Sequence, residues 1–159
     1  AWVFDDDVNT DVIFPGKYTY SISDPNEMAK HAMEDADPEF ASKVQPGDIV
    51  VAGKNFGCGS SREQAATCLK MAGVGAVLAV SFSRIYYRNA INLGLPIVQC
   101  PAAVDAIEEG ALVTVDFAQG RVTVGEESHA FQPLPANVLE ILEAGGLLEF
   151  TKAKLARHS

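Results

Sequence analysis

The chain has 159 residues, of which 48% are hydrophobic and 21% charged, and it carries a net charge of −9. That composition suits one folded domain with a real core and excludes a disordered chain. The negative charge argues against nucleic acid and anionic membrane surfaces as partners, so an anionic ligand would need a local positive site.

No apolar run approaches the ~18 residues of a membrane span. The start is acidic, with Asp5, Asp6 and Asp7 where a secretory signal would be basic. Three cysteines (Cys58, Cys68, Cys100) are odd in number and widely spaced, and three histidines (His31, His129, His158) show no ligand spacing. The expectations are a reducing, cytoplasmic setting, burial of Cys68 and Cys100, and no metal or cofactor in this chain.

Ala1–Phe4 and Asp11–Phe14 frame a polar acidic turn, and Pro15-Gly16 breaks the chain. Residues 17–24 are polar and aromatic and read as a loop. Ser23 or Asp24 can cap a helix with Pro25 in its first turn, running to about Met33. Asp35–Pro46 reads as loop with a short helical piece, and Pro46-Gly47-Asp48 as a turn. Ile49–Ala52 is a short apolar strand. A loop follows, then a helix over 61–72 ended by Gly73-Val74-Gly75. Ala76–Val80 is apolar without alternation, as a strand buried on both faces requires. Ser83 to about Leu93 is a helix stopped by Gly94. Pro96–Gln99 is a strand, and 103–109 a brief acidic helix. Residues 112–117 and 121–124 alternate about Ala118-Gln119-Gly120 and form a hairpin, which His129–Phe131 extends. Residues 135–144 and 147–156 are helical, and the basic tail 152–159 is expected to fray. The alternation of strands and helices predicts an α/β core with right-handed crossovers.

The chemistry concentrates at Asn55-Phe56-Gly57-Cys58-Gly59-Ser60-Ser61-Arg62-Glu63. Ser60 and Glu63 have the spacing of a capping box, and Ala65, Cys68, Leu69 and Ala72 continue as an apolar stripe. A helix N-terminus offers free amides and a dipole that favours an anion. Arg62 in the first turn opposes that dipole, so a bound carboxylate or phosphate would account for it. On these residues alone, an anion site and a plain capped helix are equally good readings.

The same nine residues resemble the signature of the small subunit, or swivelling domain, of the aconitase superfamily, most closely in isopropylmalate dehydratases. Asp5–Ile13 with Pro15-Gly16-Lys17-Tyr18 resembles the opening strand and turn of that family. Ser81–Ile85 through Asn92–Pro96 resembles its second signature. The resemblance spans about residues 3 to 150. It implies a single swivelling β/β/α domain over 1–159 that serves a hydro-lyase of leucine biosynthesis. Such an enzyme isomerises a substituted malate by dehydration and rehydration. It implies a large-subunit partner bearing a 4Fe-4S cluster, and a small di- or tricarboxylate hydroxy-acid as substrate. Self-association is compatible with it.

The resemblance assigns Ser60 as the base and Ser61 and Arg62 to the substrate carboxylate. It also places Asp11 near the active site, against a histidine of the large subunit, with a turn residue as the simpler alternative. A serine base works only as an alkoxide stabilised by helix-terminal amides and a guanidinium. Gly57 and Gly59 are expected to let backbone approach ligand. Cys58 reads as a subfamily marker.

Tyr18, Thr19, Tyr20, Ser21 and Ile22 resemble the loop that reads the variable group of the substrate. It contains no arginine for a third carboxylate, and Tyr20 and Ile22 suit an apolar branch, with Lys17 and His31 as cations that could compensate. Homoaconitase-, dimethylmalate- and methylcitrate-type activities, and a non-catalytic anion-binding module, are the alternatives. Arg84 and Arg88 share one helix face, read as solvated or as contacting the large subunit.

Overall fold

The computed structural model describes residues 1–18, 20–59 and 62–157. Four parallel strands pair in chain order: β1 (Trp2–Val3), β2 (Ile49–Ala52), β3 (Ala76–Ala79) and β4 (Ile97–Gln99). Their register sets Val50 beside Val77 and Val77 beside Ile97. β2 and β3 are buried at every position, which is why they are apolar throughout.

Alternate residues of these strands serve two cores. Val50, Val77 and Ile97 face one side, where Leu69 of α4 (Gln64–Met71) and Tyr86 and Ile91 of α5 (Arg84–Leu93) cover them. Val51, Leu78 and Val98 face the other side and meet Val122. Val122 lies in the central strand of an antiparallel sheet made of β5 (Val113–Asp116), β6 (Arg121–Val124) and β7 (Glu127–Ala130). The layers are therefore antiparallel sheet, parallel sheet and helices, the β/β/α arrangement expected. Cys68 and Cys100 are buried, and burial pushes the Cys68 thiol well up. Among the described residues no helix is long and apolar enough to cross a membrane.

Several boundaries differ from expectation. Thr10–Ile13 is a short helix (α1), capped by the Asn9 side chain on the Val12 amide, rather than part of a strand. The capping of α2 by Asp24 is as expected, but α2 (Pro25–Ala29) ends early. Met33 turns to positive φ, and its amide donates to the Ile13 carbonyl, so tertiary docking displaces the last helical turn. A further short helix, α3, covers Phe40–Lys43. α4 starts at Gln64, three residues late, and the residue at its cap position is Glu63, which makes no side-chain capping bond. Arg62 thus precedes the helix, and the expected Ser60–Glu63 capping box involves Ser60, which lies outside the described residues. α6 (Pro101–Ala106) starts two residues early because Pro101 suits a first helical turn. α7 (Ala136–Glu143) and α8 (Leu147–Arg157) pack on α5, with α8 helical well into the basic tail.

Candidate active site

The motif loop leaves the C-terminal end of β2 and is held from both sides. Asn55 adopts a left-handed conformation that asparagine tolerates, and its amide donates to Ser81 Oγ at 2.8 Å. Phe56 forms a parallel bridge with Phe82. On the other side Asn9 bridges Cys58, the Gly57 amide donates to the Val8 carbonyl at 2.7 Å, and the Thr10 amide to the Cys58 carbonyl at 2.9 Å. The segment that opens α1 is therefore stitched to the loop.

Gly57 and Gly59 have φ of +80° and +103°, a region that glycine enters without cost. What approaches them closely is the protein itself. A Cβ on Gly57 would collide with the Tyr86 ring, and one on Gly59 would sit 3.3 Å from Thr10 Oγ1. Tyr86 is buried, stands edge-on to Phe56 at 5.3 Å and donates its hydroxyl to the Ala65 carbonyl in α4 at 3.1 Å. It thus grips the loop before the two serines and the helix after them. Burial raises the Tyr86 phenol well above its ordinary value, so it stays neutral and donates.

Arg62 and Asp11 are 51 residues apart in sequence and adjacent in space. Arg62 Nη2 donates to Asp11 Oδ1 at 2.6 Å and to the Phe14 carbonyl at 3.2 Å. The arginine side chain is only 16% exposed, whereas Asp11 is 72% exposed. Within this chain the carboxylate beside Arg62 is the Asp11 side chain rather than the bound carboxylate or phosphate expected. Ser60 and Ser61 lie outside the described residues. Both chain directions into them are placed: Gly59 packs near α1, and Arg62 is anchored to α1.

The 18–22 loop divides. Tyr18 closes a 3-10 turn (Gly16–Tyr18), lies over the His31 ring at 4.1 Å and packs toward Phe14. Ile22 is partly buried against the helical core. Tyr20 is fully exposed and Ser21 is exposed, while Thr19 lies outside the described residues. Of the expected Tyr20–Ile22 pair, Tyr20 is thus turned outward and Ile22 inward. Lys17 sits over the Tyr18 ring at 5.1 Å, and His31 contacts Glu34 at 3.1 Å, so both expected compensating cations are engaged. Burial pushes the Glu34 carboxyl up, but hydrogen bonding to His31 and Tyr18 outweighs it and holds the carboxyl below its ordinary value.

Sequence reasoning missed Asn9, Phe14 and Tyr86. Asn9 was detectable as an asparagine just before a short apolar run. The Phe14 carbonyl carries no side-chain signal, and the role of Tyr86 depends on a glycine 29 residues away. Among the described residues no three His, Cys, Asp or Glu side chains converge where a metal could sit.

The aconitase C-terminal domain family matches residues 8–102. The 3-isopropylmalate dehydratase small subunit 1 of Methanopyrus kandleri is 57% identical over 155 residues, spanning 96% of this chain and 90% of that protein. The small subunit of Caldicellulosiruptor bescii is 56% identical, spanning 97% and 93%. The crystal structure of 3-isopropylmalate dehydratase from Methanocaldococcus jannaschii aligns with a TM-score of 0.92 at 42% identity, over 99% of this chain and 93% of that one. With these relatives and the β/β/α layers in place, the chain belongs to the aconitase C-terminal domain family.

Proposed function

We propose that this chain is the small subunit of a 3-isopropylmalate dehydratase, a hydro-lyase of leucine biosynthesis that works with a large subunit in the cytoplasm. The observation that carries the reading is identity of 57% over nearly the full length to a protein of that name. The whole chain acts as one swivelling domain that presents its motif loop to a site between the two polypeptides.

Within that site Ser60 removes the proton from the carbon next to a substrate carboxylate. Negative charge then builds on that carboxylate, and Ser61, Arg62 and the amides at the start of α4 stabilise it. A guanidinium presents its donors in a planar fork that matches a carboxylate in a bidentate pair. Asp11 orients Arg62 and faces the large subunit. A 4Fe-4S cluster on the large subunit would supply the Lewis acid for the hydroxyl of the neighbouring carbon. Gly57 and Gly59 fix the loop path, and Tyr20 with Ser21 meets the apolar branch of the substrate.

The test is reconstitution with the cluster-loaded large subunit, offering isopropylmalate, dimethylmalate, homoaconitate and citrate and following absorbance of the unsaturated acid. Turnover confined to substrates with an apolar branch is expected. Efficient turnover of a tricarboxylate keeps the subunit role and overturns the reading of the 18–22 loop. No turnover with a competent partner overturns the enzyme reading.

A further inference from the structure

The exposed face of α5 is made of Arg84, Ile85 and Arg88, while Tyr86, Ala90 and Ile91 are buried on the opposite side. Ile85 is 49% exposed. Arg84 and Arg88 are four residues apart on one helix, a like-charge spacing that disfavours the helix. Arg84 is also its first residue, where a cation opposes the dipole. Arg62 shows the same conflict, but it has Asp11 as counter-ion. No described carboxylate pairs with Arg84 or Arg88, although the chain carries 21 acidic residues.

This face is rigidly tied to the motif loop. The Ser83 amide donates to the Phe56 carbonyl at 2.9 Å, and Ser83 Oγ donates to the Gly57 carbonyl at 3.0 Å. A partner seated on α5 would therefore lie beside the loop that precedes Ser60. We propose that the Arg84–Ile85–Arg88 face docks a carboxylate-rich surface of the large subunit, with Ile85 as the apolar centre of the contact. The two arginines supply charge complementarity that the chain as a whole, at −9, cannot. The inference rests on the two-subunit reading above.

The experiment titrates purified cluster-loaded large subunit against the full chain, following association by calorimetry and turnover in the same samples. The double variant Arg84→Glu/Arg88→Glu should weaken association by about tenfold or more and flatten its salt dependence, since charge pairs at an interface act this way. At saturating large subunit its turnover should stay within about twofold of the parent chain. Arg84→Lys/Arg88→Lys, which keeps the charge, should associate within about threefold of the parent. Thermal unfolding of each variant separates lost docking from lost fold. Equal affinity and salt dependence for the charge-reversed and parent chains would overturn the docking face while leaving the two-subunit reading intact. So would reversal that dissolves a homodimer of this chain without changing large-subunit affinity. A parent chain that neither binds nor activates the large subunit would overturn both.

Discussion

The starts of α4 and α5 face the same loop, and both carry an arginine where a cation is unwelcome, yet they are built in opposite ways. Before α4, Arg62 is drawn inward onto Asp11 and the Phe14 carbonyl, and Glu63 at the cap position makes no side-chain capping bond. At α5, Ser83 caps the helix by accepting from the Tyr86 amide, and Arg84 points to solvent. The capped start is an architectural joint. The start of α4 is instead tied to α1 through the guanidinium of Arg62.

Substitutions at the two starts should therefore fail in different assays. The largest effect belongs to Arg62→Lys, which should lower kcat/KM of the assembled enzyme by about 100-fold or more, because an ammonium cannot present a bidentate fork. Stability should barely move, since the Asp11 partner is largely in water. Parent-like kinetics would reduce Arg62 to a tie between α1 and α4.

Gly57→Ala is next. It puts a Cβ into the Tyr86 ring at a positive φ and should cost about 2–3 kcal/mol of unfolding free energy, read from urea midpoints. An unchanged midpoint would mean that the loop is not packed on Tyr86.

The smallest effect is Ser83→Ala, which removes the α5 cap and the bond to Gly57 and should cost about 1 kcal/mol in the same denaturation. A loss of activity without loss of stability would place Ser83 in the same class as Arg62 and collapse the contrast.

What could be read from residues alone followed the same division. Strands buried on both faces announce themselves, and Ile49–Ala52 needed no correction at either end. α5 was legible at both ends because Ser83 caps it and Gly94 closes it in a left-handed conformation. β1 was not, since a two-residue strand is too short to show a period. α4 was less legible, because the capping-box spacing of Ser60 and Glu63 suggests an earlier start, whereas Glu63 stands at the cap position and Arg62 before it is turned toward α1. The motif pointed to a bound carboxylate or phosphate beside Arg62; the Asp11 contact was not legible, because Asp11 is 51 residues away and comes into reach where α1 docks on the loop.

β1 carries Trp2, the only tryptophan of the chain. Its indole donates to Asp48 at 3.0 Å, and its ring stands edge-on to Phe40 at 5.0 Å, so it joins the edge strand to the turn before β2 and to α3. The molecule thereby carries its own optical gauge at the sheet edge. Detachment of the first strand would take the indole out of both contacts and change its emission, with no second fluorophore of its kind to blur the signal.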